Sequence, residues 1–155
     1  MVKSAVTVIV GAVVLMLVAC SGEDDTSKSA SSTATAPTAS VAAGGGASVS
    51  VKADKTHAVQ PNDVITLTIS VTDFRLAADS IGAANQDGAG HYRVYVDDAS
   101  GDNYLAVGAE PVAKVTIPAD ISDGSHDLRV VLHNNDKSPL QPAVQASALL
   151  IVYRL

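Results

Sequence analysis

The sequence predicts an all-β antiparallel sandwich of about seven strands, and three observations predict it. Residues 64–72 alternate strictly, with Ile65, Leu67, Ile69 and Val71 on one face and Thr66, Thr68, Ser70 and Thr72 on the other. That is the period of a strand with one buried and one wet face. Short alternating runs then recur between turn signals such as Pro61-Asn62-Asp63, Asp98 to Asn103 and Asp123-Gly124, at the spacing of a sandwich or barrel. No helical period stands out, and a chain with no Trp and one Phe must build its core from aliphatic side chains.

The elements follow in order. Ser48 to Lys52 is an edge strand ahead of Val64–Thr72. Phe74 and Leu76 plug the sandwich within the irregular stretch from Asp73 to Gly90, whose end, Asn85 to Gly90, is a loop by composition. His91 to Asp98 is a strand with Tyr92, Val94 and Val96 inward and His91, Arg93, Tyr95 and Asp97 outward. Tyr104 to Val107 is a short strand. Val112 to Ile117 points Ala113, Val115 and Ile117 inward, and His126 to His133 does so with Leu128, Val130 and Leu132. Asn134 to Pro142 is a loop, and Val144 to Tyr153 is the last strand. Its end, Leu149 to Val152, is apolar on both faces and therefore expected to be central or covered. Strand number and spacing suit an immunoglobulin-like sandwich, although the Cys and Trp marks of true immunoglobulin domains are missing.

Ahead of this domain the composition changes twice. After Lys3, residues 5–18 are apolar apart from Thr7 and Gly11, a run within the length of a signal-peptide core and short of the ~20 residues of a spanning helix. From Ser21 to Ala47 the chain is Ser, Thr, Ala and Gly with acids at Glu23, Asp24 and Asp25, too little apolar surface to offset ordering entropy. The expected organisation is a signal peptide over 1–19, a disordered tether over 20–47 with a span of roughly 30 Å, and the sandwich over 48–155.

Leu17-Val18-Ala19-Cys20 resembles the lipobox of bacterial lipoproteins. The resemblance implies that Cys20, the only cysteine, becomes the mature N-terminus and carries lipid, the palmitate-type anchor of that family. More than one acyl chain, at about 0.8 kcal/mol per buried methylene, gives stable anchoring. Ser21, where family members retained at an inner membrane often have Asp, favours an outer membrane or cell surface. With Cys20 lipidated no cysteine is left for a disulfide.

The candidate chemistry is sparse. In Gly124-Ser125-His126-Asp127, neighbours on a strand point to opposite faces, so these three side chains form no relay with one another. No Gly-x-Ser-x-Gly elbow is present. Gly88-Ala89-Gly90 leads into a strand and lacks the third glycine of a nucleotide loop. Asp98, Ser100 and Asp102 have the spacing of the first calcium-loop ligands, but Asn103 and Ala109 stand where glycine and the bidentate acid belong, so a solvated hairpin turn is expected. The net charge of −6 and the absence of a basic cluster argue against nucleic acid. No nucleophile–base pair or pair of acids can be placed together, and a non-enzymatic domain is expected.

Gly90 to Asp97, Asp123 to His126, Leu132 to Lys137 and Val71 to Leu76 together resemble exported bacterial β-sandwich domains of unknown function, distantly cupredoxin-like. The resemblance covers most of Val64 to Val152. Its members often carry further histidines where Arg93 and Lys137 stand, which implies a metal, copper or zinc, at His91 and His133 with Asp136. If 91–97 pairs antiparallel with 127–133, His91 and Arg93 lie near His133, Asp97 lies near Arg129, and His126 stands inward at the far end. Two imidazoles beside two cations make a poor metal site; the alternative is surface histidines on a wet sheet face. The leading expectation is a lipid-anchored envelope protein with a binding or structural domain and an envelope protein or glycan as partner. Copper or zinc handling is the second reading.

Overall fold

A computed structural model describes Ala39–Ser40 and residues 46–154. The signal peptide, Cys20 and the greater part of the tether lie outside the described residues. The strands are β1 (Ala39–Ser40), β2 (Ser48–Ala53), β3 (Val64–Thr72), β4 (Arg75–Leu76), β5 (Ala89–Val96), β6 (Ala106–Gly108), β7 (Val112–Thr116), β8 (Gly124–Asn134) and β9 (Gln145–Val152). A single 3-10 turn, Ala78–Ser80, is the one helical element among the described residues. No helix there is long and apolar enough to cross a membrane.

The strands form two sheets packed as a sandwich. One has the order β1-β9-β8-β5-β4, with β6 also on β5, and the other is β2-β3-β7. All pairs are antiparallel except β4 with β5, which run parallel through Arg75–Ala89 and Leu76–Gly90. Period two becomes packing as predicted in β3: Ile65, Leu67 and Ile69 are buried, whereas Thr68, Ser70 and Thr72 are exposed. They meet Val49 and Val51 of β2 and Val115 of β7 from the same sheet, and Tyr92, Val94, Leu128, Val130, Leu132, Ala146, Leu150 and Val152 from the other. Each fully buried branched side chain contributes about 1.5–3 kcal/mol, and no disulfide adds to that among the described residues. Phe74 and Leu76 pack against this core half-buried, as expected of plugs.

Several expectations need correction. The tether stretch contributes a strand: Ala39 and Ser40 pair with Ser147 and Ala146 of β9. β9 is central as expected, between β1 and β8, but its outer face is not covered: Leu149 is 43% exposed, because that face looks away from the second sheet and only Ala146, Ala148, Leu150 and Val152 turn inward. Most consequential, β5 is buried on both faces, with all of Ala89 to Tyr95 buried. Its outer face is not wet, because the segments 97–105 and 134–140 fold back across it. Asp97 does not pair with Arg129. The register sets Tyr95 opposite Arg129, and Asp97 lies past the strand end in the left-handed region at φ 59°. Arg129 instead contacts Asp127 at 3.3 Å.

Candidate functional site

The predicted pairing of β5 with β8 sets His91 directly opposite His133. Directly opposed residues share a face, so the two rings meet, stacked with centroids 5.6 Å apart and planes at 28°. Both are buried rather than on a wet face; His91 is fully so. Gly90 makes the approach possible, since a Cβ there would overlap the His133 carbonyl oxygen and stand 2.9 Å from the Phe74 ring.

The two imidazoles differ in their bonding. His133 Nδ1 lies 2.9 Å from the Lys137 carbonyl oxygen. A carbonyl only accepts, so Nδ1 carries the proton, and Nε2 is left to accept from the Tyr95 hydroxyl at 3.4 Å. Neither ring nitrogen of His91 has a partner. Burial, then the neighbouring His133, Arg93 and Lys137, lowers the His91 pKa to about 4, with Asp136 opposing. Burial likewise lowers that of His133, against the bond to Lys137 and with help from Arg93. Both rings are therefore neutral at neutral pH.

Arg93 lies two residues along the same face. Its guanidinium sits 4.6 Å from the centre of the Tyr104 ring, which in turn meets Tyr95 edge-on. Nη1 donates to Asp102 at 3.2 Å and to the Gly101 carbonyl at 3.4 Å, whereas the buried Nε has no partner. The stretch read as a calcium-like spacing is thus a flap over β5: Ser100 bonds Asp98, and Asp102 turns to Arg93. Opposite the flap, Lys137 is held in the left-handed region at φ 74°. An open cleft of about 530 Å³ runs between them, lined by Arg93, Asp102, His133, Asp136, Lys137 and Ser138 among others.

The sequence therefore brings His91 and His133 together, but not Asp136 as a third ligand. The Asp136 carboxylate accepts from the Ser138 amide and hydroxyl and from the Asn85 side chain. Those bonds hold its pKa below the usual carboxylate value. Among the described residues no group of three or more His, Cys, Asp or Glu side chains is arranged to hold a metal ion. Cys20 lies outside the described residues.

At the other end of the sandwich stands a Ser–His–Asp set that sequence reasoning missed. His126 is buried, with Nδ1 2.8 Å from Asp97 Oδ2 and Nε2 2.9 Å from the Ser122 carbonyl and 3.4 Å from its hydroxyl. Carboxylate and carbonyl both only accept, so both ring nitrogens face acceptors, an arrangement that favours the protonated ring. The bond to Asp97 raises the His126 pKa, with burial opposing it. Nε2 turns to the Ser122 carbonyl at 2.9 Å rather than to the hydroxyl at 3.4 Å, the geometry of a clamp between two loops and not of a relay. Ser125, as expected, turns away to solvent. The signal for the clamp was the inward parity of His126, which obliges a buried ring to find partners.

A second cleft, of about 670 Å³, opens beside the first between the loops after β3 and β8, walled by Phe74, Pro139 and Leu140 and edged by Asn85, Gln86 and Gln141. Compared with family models and with curated proteins, the chain matches no family model and no curated protein.

Proposed function

We propose that this chain is a lipid-anchored envelope protein, held through Cys20, whose sandwich is a non-enzymatic binding or structural domain. The observation that carries the non-enzymatic reading is the state of His126. Among the described residues, the histidine placed between a serine and a carboxylate has both nitrogens turned to acceptors, which suits a clamp and not a general base. The anchor rests on Leu17 to Cys20 behind the apolar run, and the tether gives the domain reach to an envelope protein or glycan. Ser21 favours an outer membrane or cell surface. The test is fractionation of the Cys20→Ala variant. It should accumulate as a soluble or uncleaved precursor; a variant that is processed and still partitions into detergent like the wild type refutes the anchor.

A second reading is copper or zinc held by His91 and His133, with Asp136 swinging in. It is favoured by one observation, the two neutral imidazoles stacked at 5.6 Å with both His91 nitrogens unused. Calorimetric titration of either metal into the purified protein tests it, and tight stoichiometric binding would place it first.

A further inference from the structure

Arg93 is a buried cation with poor compensation. Its side chain is only 9% exposed, yet its sole carboxylate partner, Asp102, is 91% exposed and sits on the flap. Removing a guanidinium from water costs several kcal/mol unless close partners satisfy it, and here Nε is left bare. Lys137, across the same cleft, forms no ion pair among the described residues. Of the two acids that line the cleft, Asp136 is already engaged by Ser138 and Asn85. The cleft thus has unused donors of positive charge and one carboxylate able to leave.

We propose that this cleft binds an oxyanion, the carboxylate or phosphate-like group of an envelope ligand, between Arg93 and Lys137, and that Asp102 occupies the Arg93 end until the ligand displaces it. The inference rests on the reading of the domain as a binding module and names the group it binds. Guanidinium and ammonium are the side chains that recognise such groups, through charge-assisted hydrogen bonds. The flap supplies the means of exchange, because Asp102 leaves the site for water with little desolvation cost.

The experiment is calorimetric titration of full-length protein in neutral detergent with sulfate and with acetate, at about pH 7, where both probes are fully charged. Arg93→Met, Lys137→Gln and Asp102→Asn are compared with the wild type. One site is expected in the wild type. Arg93→Met should weaken it about tenfold or more, the loss of one charge-assisted hydrogen bond. Asp102→Asn, on an exposed flap where folding is not at stake, should tighten it by removing the competitor. Preference for sulfate or acetate distinguishes a tetrahedral from a planar ligand group. The proposal is overturned if Asp102→Asn binds no more tightly than the wild type, if neither probe binds either protein, or if zinc or copper binds at the histidines while the anions do not. Because the readout does not depend on Cys20, failure here and failure of the anchor are separately visible.

Discussion

His126 and Asp97 join the two middle strands of the larger sheet, Nδ1 to Oδ2 at 2.8 Å, where β5 ends and β8 begins. Asp97 is able to reach because its backbone turns into the left-handed region, φ 59°, and its second oxygen accepts the Asp127 amide at 3.0 Å. The pKa of His126 is raised by that bond, so its contribution is complete below the ordinary histidine value and is lost as pH rises through the raised one. For Asp97, burial pushes the pKa up but the bonds from His126 and Asp127 outweigh it, and the net shift is down. Its contribution is present above the ordinary Asp value and is lost as pH falls through the lowered one. Asp97→Asn should therefore cost about 1 kcal/mol near pH 6, modest because Asp97 is half exposed, and less near pH 9, as the pH rises through the raised His126 value. Urea unfolding at the two pH values checks it; equal losses at both would mean that the ion pair is not what joins the strands.

The sign is opposite for His91. A base whose folded pKa lies near 4 against an ordinary 6.5 leaves stability complete above pH 6.5 and drains it between 6.5 and 4, by about 3 kcal/mol at the acid end. His91→Phe retains a flat ring against His133 and gives up no hydrogen bond, since neither nitrogen has one. The variant should hold its stability at about pH 4.5 better than the wild type does. A wild-type acid slope that survives the substitution would assign the proton to another group.

Gly90→Ala tests the register on which the histidine pair depends. The new methyl would meet the His133 carbonyl and the Phe74 ring, and a backbone atom cannot swing aside as a side-chain end can. A loss of about 3 kcal/mol or more is expected, at the upper end of overpacking costs. Thermal unfolding measures it, and an unperturbed melting temperature would contradict the close approach of β5 to β8 at this point.

Arg93→His together with Lys137→His should create a four-histidine constellation with His91 and His133. The cleft lined by Arg93, His133 and Lys137, and the stacking of His91 on His133, bring all four positions into one neighbourhood. His is well suited to the left-handed backbone at 137. Zinc or copper affinity should rise strongly over the wild type at neutral pH and fall on acidification, as imidazoles must be deprotonated to coordinate. Calorimetry decides it; no gain in the double variant means that side chains at these positions do not converge.

The sequence by itself determined the alternation, and with it the strands, their faces and most of the core. Ile65, Leu67 and Ile69, or Leu128, Val130 and Leu132, have only one way to leave water together, because a strand's period admits two faces and no third. Parity with antiparallel pairing also brought His91 to His133. What only the tertiary structure decided is what lies over a face once it is made. The polar-looking outer face of β5 is covered because the stretches 97–105 and 134–140 return across it, and nothing periodic in those loops encodes that return. Asp102 meets Arg93, and Ser122 and Asp97 each meet His126, across turns whose course is set by single backbone angles and hydrogen bonds rather than by a repeating pattern. Leu149 shows the converse, an apolar residue left in water because its parity turns it away from the second sheet. Local period fixes which side a residue takes, and long-range chain return fixes whether that side is wet.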